Sequence, residues 1–343
     1  MRRTILAALA GTLLVTAPAV AGTVWVSGVD METYAGKVLG FDDTNGELTH
    51  NVDGGYISAI DVCPATGTAF YLDDTTLKSV DANGNAKVIA EYSSDVYVGM
   101  PQVKVGPVEC TVWVYAIGGT DIHIVRNPGE ARQETRDTYS FSIIESADVD
   151  DVNDDLWIGQ INGKVHRVSK KTGLRSYRIG PTGDSYRSIA VKSGIVHILG
   201  HSALRGYRNT TRIETPQQLY TDTSFKDLFD GNARINSAAV HANSAGDPVV
   251  TAYNYFGPGD SHSDVLRMEV NAESKSLSWT NDRFVPFEDV GTIARWDSEA
   301  AEDGNMWHYD DSRIRLFAPN GAQLREIDFN DAVPDFYAYD MAY

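Results

Sequence analysis

Seven short segments of this chain carry the same apolar, strand-like pattern, and their spacing restricts the fold more than any other feature. They are Thr23–Val26, Ala69–Leu72, Thr111–Val114, Asp155–Ile158, Ile195–Ile198, Pro248–Thr251 and Asn305–His308. A recurrence of roughly 40–57 residues is about the length of one blade in a radial β-repeat. Trp25, Trp113, Trp157 and Trp307 fall at one position of the pattern. Large rings at a fixed strand position fill the space between twisted, stacked sheets.

Each segment is followed by a second strand, as in Val38–Asp42, Leu77–Asp81, Val165–Ser169, Leu204–Arg208 and Ile314–Ala318. Turn signals come next: Asn45-Gly46, Asn83-Gly84, Thr172-Gly173 and Asn320-Gly321. Such pairs close tight hairpins because they tolerate positive φ. Outer strands follow at Ala86–Glu91, Leu174–Ile179 and Gln323–Phe329. A fourth, inner strand also recurs, at Tyr56–Val62, Val96–Val105, Ile143–Val149, Tyr186–Val191, Ile235–Val240, Thr292–Asp297 and Phe336–Met341. The last copy has no central strand after it, and the first unit has no inner strand before it. Together they make one blade. The expectation is an all-β, seven-bladed β-propeller, closed by pairing of the C-terminal strand with the N-terminal blade, which removes open sheet edges. An open solenoid or sandwich is the alternative and leaves the complementary ends unexplained.

The first residues read as a leader. Met1-Arg2-Arg3 is basic, Ile5–Val15 is apolar, and Ala19-Val20-Ala21 has the small-x-small form of a cleavage site. The apolar run is shorter than the roughly 20 residues of a membrane span. The expected division is a signal peptide over 1–21 and a single propeller over 22–343, placed in the periplasm or outside the cell. Cys63 and Cys110 then meet an oxidising compartment, and both precede a central strand in consecutive blades. One disulfide is expected; two buried free thiols are the alternative.

The chain has 47 acidic against 29 basic residues, a formal net charge of −18. Loss of Arg2 and Arg3 with the leader leaves 27 basic residues and −20. Such a surface repels nucleic-acid phosphates and anionic lipid. Neither nucleic acid nor a membrane span is expected, and the partner is a small molecule or a protein.

The run Asp155-Leu156-Trp157-Ile158-Gly159-Gln160-Ile161-Asn162-Gly163-Lys164-Val165-His166-Arg167-Val168 resembles the repeats of periplasmic propellers in two-component sensors. More loosely, it is similar to virginiamycin B lyase and to the NHL and lactonase-like propellers. The resemblance implies the propeller fold. These families span sensing, binding, lyase and lactonase functions, so fold analogy does not choose among them.

Propeller sites form at a channel mouth where inner strands begin. Tyr56, Glu145, Arg187, Asn236, Arg295 and Tyr337 lie near those starts and are the expected ligand-binding set, since aromatic walls with a few placed polar groups describe many pockets. Arg187 and Arg295 would form a positive well for an anionic group. No motif identifies catalytic residues. Gly200-His201-Ser202-Ala203-Leu204 lacks the second glycine and the strand-to-helix turn of a nucleophile elbow.

The expected function is a non-catalytic ligand- or protein-binding module. The alternative is a hydrolase or lyase of lactonase type, with Ca2+ or another divalent ion held by Glu145, Asn236 and Asp297. No other cofactor is implied. Asp148–Asp155 reads as a solvated acidic turn, with Ca2+ as the alternative. His123 and His166 read as exposed repeat positions, and His197, His201, His241 and His308 show no metal-ligand spacing. The loop Tyr253–His262 is the longest interruption of the rhythm and a second place to look for function.

Overall fold

The computed structural model describes residues 22–93, 99–138, 141–173, 175–179, 186–200, 202–209, 216–223, 239–254, 262–271, 276–279, 298–301, 304–309 and 312–343. The chain is an all-β β-propeller. The described strands form seven four-stranded antiparallel sheets. Sheet A joins the chain ends: Phe336–Ala342 lies beside Thr23–Asp30, followed by Ala35–Asp42 and Leu48–Gly54. The other six run inward to outward in chain order. Their inner strands are Ile57–Cys63 (B), Met100–Val105 (C), Ile144–Val149 (D), Tyr186–Lys192 (E), Ala239–Ala242 (F) and Ser298–Ala300 (G).

The tryptophan strands are buried on both faces, as in Val112–Ile117 and Leu156–Gln160, because each sheet has a neighbour on either side. Outer strands such as Leu48–Gly54 and Ala86–Glu91 are mostly exposed. Trp25, Trp113, Trp157 and Trp307 each face the following sheet. Trp25 packs with Ile60 and Val62 of sheet B, Trp113 with Ala147 and Val149 of sheet D, and Trp157 with Ile189 and Val191 of sheet E. Trp307 packs with Val24 and Val26, which brings sheet G against sheet A.

In sheet B the equivalent residue is Phe70. Tyr71 is third in Ala69–Leu72, as Trp25 is in Thr23–Val26, but Phe70 pairs with Asp61 as Trp113 pairs with Lys104 and Trp157 with Asp148. Tyr71 turns back towards Trp25. At the seam of sheet A, Trp25 lies opposite Ala342 and Val26 opposite Met341. A Cβ at Gly28 would come 2.2 Å from the Tyr337 carbonyl oxygen, so the pairing there requires glycine.

The described inner strands of sheets C and F, Met100–Val105 and Ala239–Ala242, overlap the expected ones, whose residues 96–98 and 235–238 lie outside the described residues. Sheet G uses Ser298–Ala300, while 292–297 lie outside the described residues.

The inner strands are laced together by side chains. Asp61 accepts from Val105 N at 2.6 Å, Asp148 from Val191 N at 2.7 Å and Asp340 from Ile60 N at 3.0 Å. Ser146 Oγ accepts from Ile189 N at 3.0 Å and Ser188 Oγ from Val240 N at 3.1 Å. The Cys63–Cys110 disulfide joins the end of the sheet B inner strand to the turn that follows the sheet C inner strand.

The stretch Asp148–Asp155 is not the solvated turn that its composition suggests. Asp150, Asp154 and Asp155 are buried. Asp154 accepts from Val108 N and Glu109 N at 2.8 and 2.7 Å and pairs with Lys170 at 3.2 Å. Asp155 pairs with Arg167 at 2.5 Å. Burial is tolerated because each carboxylate has partners. The cluster fastens the sheet C turn to sheet D. His166 likewise departs from the exposed position expected of it, since it is buried with Phe141 against its ring at 5.7 Å.

Candidate functional site in the central channel

A cavity of about 830 Å³ runs along the inner strands and is lined by residues of all seven sheets. Tyr56, Glu145 and Tyr337 line it. Tyr56 precedes the inner strand of sheet B, Glu145 lies at the start of that of sheet D, and Tyr337 at the start of that of sheet A. Arg187 has its backbone in Tyr186–Lys192, but its side chain is outside the described residues, as are Asn236, Arg295 and Asp297.

Tyr339 joins the aromatic wall and was not singled out from the sequence. Its ring is 6.3 Å from that of Tyr56 and 5.7 Å from that of Tyr337. The signal was present in Phe336-Tyr337-Ala338-Tyr339, where alternation puts two tyrosines on one face of a strand. Beneath them Tyr309 donates to the Tyr339 carbonyl at 2.8 Å, and Tyr115 donates to that of Ala147 at 3.2 Å.

Deeper in the channel lies a charged group that the sequence reading also missed. Lys104 approaches Glu299 at 4.0 Å, which links sheets C and G. It also acts electrostatically on Asp61 and Asp148. Burial pushes the Asp61 carboxyl up to about 6, against the pull of Lys104 and of the N–H groups of Val105 and Val62. Burial raises Asp148 in the same way. A shared sequence signal marks the acids: each stands in an apolar strand just before a branched or flexible apolar residue, in Asp61-Val62, Asp148-Val149 and Asp340-Met341.

The described charged lining comprises Asp61, Glu145, Asp148, Asp151, Glu299 and Asp340 against Lys104 and Lys192. Arg187 and Arg295, from which a positive well is expected, fall outside this set because their side chains are not among the described residues. Among the described residues no group of three or more His, Cys, Asp or Glu side chains could hold a metal ion. His197, His241 and His308 engage different partners, namely Tyr220, Thr251 and Phe317. His201 and most of the Tyr253–His262 loop lie outside the described residues. No described helix is long and apolar enough to cross a membrane.

No protein-family model and no curated protein matches the sequence. The fold does match solved structures. A protein from Desulfotomaculum acetoxidans superposes with a TM-score of 0.65 at 13% identity, over 93% of this chain and 99% of that one. A protein from Lactobacillus plantarum gives 0.62 at 14%, over 94% and 99%. The periplasmic gluconolactonase of Pseudomonas aeruginosa gives 0.60 at 14%, over 89% and 96%. The chain resembles the lactonase-like propellers in fold. At these identities the likeness concerns architecture, and the chemistry must be argued from the channel.

Proposed function

We propose that this chain is an exported, seven-bladed β-propeller that binds a small molecule in its central channel without chemical turnover. The seven sheets act as blades of one closed ring, with Phe336–Ala342 completing the first. The basic, apolar and small-residue pattern over 1–21 supports export to the periplasm or the exterior, and the Cys63–Cys110 disulfide is suited to an oxidising compartment.

The observation that carries the binding reading is the convergence of Tyr56, Glu145 and Tyr337, from three different sheets, on one cavity of about 830 Å³. Pockets of some 300–1,000 Å³ with aromatic walls and few polar groups are typical of small-molecule sites. Arg187, Asn236 and Arg295 complete the proposed set.

A thermal-shift screen of small metabolites on the mature protein tests this. A hit should raise the melting temperature of the parent and lose at least about tenfold in affinity in Tyr56→Ala/Tyr337→Ala, a loss of about 1.4 kcal/mol. Undiminished binding in that double variant, and in Arg187→Ala/Arg295→Ala, sinks the channel site. The same preparation should leave δ-gluconolactone unhydrolysed with or without Ca2+. Chelator-sensitive hydrolysis would instead make the protein an enzyme of the gluconolactonase kind.

A further inference from the structure

The charge and ring content of the channel points to a class of ligand, an inference that rests on the channel being the binding site. Most of its carboxylates are engaged. Asp61, Asp148 and Asp340 accept backbone N–H groups of neighbouring sheets, Asp151 accepts from Ser193 N at 2.9 Å, and Glu299 faces Lys104. Glu145 differs. It is half-buried on the cavity wall, and among the described residues no hydrogen bond or ion pair engages its carboxylate.

A carboxylate held in a partly desolvated wall gains most from a cation, because solvent no longer screens the pair fully. Tyrosine faces add to this, since the ring quadrupole attracts a cation and the ring itself covers an apolar body. An anion would meet the opposite field. Among the described residues six lining carboxylates stand against two lysines, and adding Arg187 and Arg295 to these would still leave the acids in excess.

We infer that the channel takes an organic cation, an amine on an aromatic or aliphatic body, with Glu145 as its counter-ion and Tyr56, Tyr337 and Tyr339 as its wall. This reverses the anionic preference that the two arginines suggested from the sequence.

Three probes of one shape and different charge test it: tyramine, 2-(4-hydroxyphenyl)ethanol and 4-hydroxyphenylacetate. Isothermal titration of the mature protein at low and high NaCl should rank tyramine at least about tenfold tighter than the alcohol, with the acid weakest. The advantage should shrink in salt, because a charge pair reached by solvent is screened. It should collapse in Glu145→Gln, whose fold is checked by circular dichroism. Binding of 4-hydroxyphenylacetate as tight as tyramine, with loss in Tyr56→Ala/Tyr337→Ala, overturns the cationic class and leaves the channel site standing. Absence of tyramine binding at millimolar concentration also overturns it, and the metabolite screen then decides the channel reading alone. A tyramine preference that persists in Glu145→Gln removes that residue as counter-ion and contradicts the inference.

Discussion

His197 occupies the strand position that Trp25, Trp113, Trp157 and Trp307 fill in other sheets, and it is fully buried. Its Nε2 lies 2.9 Å from the Gly246 carbonyl and its Nδ1 2.6 Å from the Tyr220 hydroxyl. A carbonyl only accepts, so Nε2 carries the hydrogen and Nδ1 accepts from the tyrosine. The neutral imidazole is therefore satisfied on both sides, and burial pushes its pKa down to about 4. Between pH 6.5 and 4 the unfolded chain takes up a proton that the folded one refuses. Stability from this group is complete above pH 6.5 and falls as the pH drops towards 4, by about 3 kcal/mol. Asp61 acts in the opposite sense. Its folded pKa of about 6 lies above the unfolded value, so its contribution is present at low pH and is lost as the pH rises through 6. His197→Phe should flatten the fall of melting temperature between pH 6.5 and 4. It should also cost about 1–3 kcal/mol at pH 7.5, because the Gly246 carbonyl and Tyr220 hydroxyl lose their partner. Thermal melts across that range check both effects, and an unchanged acid slope contradicts the assignment.

At the scale of strands and turns, stability depends on how each sheet is tied to the next. The disulfide runs from the end of Ile57–Cys63 to the turn before Val112–Ile117, and the Cα atoms of Cys63 and Cys110 are 5.3 Å apart. It closes a segment of 47 residues. Cys63→Ser/Cys110→Ser should cost about 2–4 kcal/mol, mainly by freeing the unfolded chain. Denaturant titration should show a lower midpoint, and an unchanged midpoint contradicts this.

The hairpins were legible because local chemistry dictates them. Gly84 and Gly321 sit at φ of 80° and 81°, after the asparagines that mark their turns. The tryptophans were legible because two-residue alternation fixes which face they take. The inner strand of sheet G was not, since Ser298–Ala300 is three residues long and too short to show an alternation. Nor was the burial of Asp150, Asp154 and Asp155, because it depends on Arg167 and Lys170 from a later hairpin and on N–H groups of the preceding sheet. Composition alone sends such a run to solvent. For the site, strand starts located Tyr56, Glu145 and Tyr337, whereas Lys104 and Glu299 meet only once the ring has formed.

At the scale of the whole molecule, the radial arrangement brings one short strand from every sheet to a common axis. Side chains far apart in sequence then share one cavity, with rings at the strand starts and paired charges deeper in. The paired charges stitch the sheets together, while among the described residues no hydrogen bond or ion pair engages the Glu145 carboxylate. The proposed site is this channel rather than the outer strands or the Tyr253–His262 loop. A crystal structure of the mature protein with the tightest compound from the metabolite screen tests it most directly. Density for the compound is expected between Tyr56, Glu145 and Tyr337. A compound bound on the outer strands or the loop, with only solvent among those three side chains, would contradict the account.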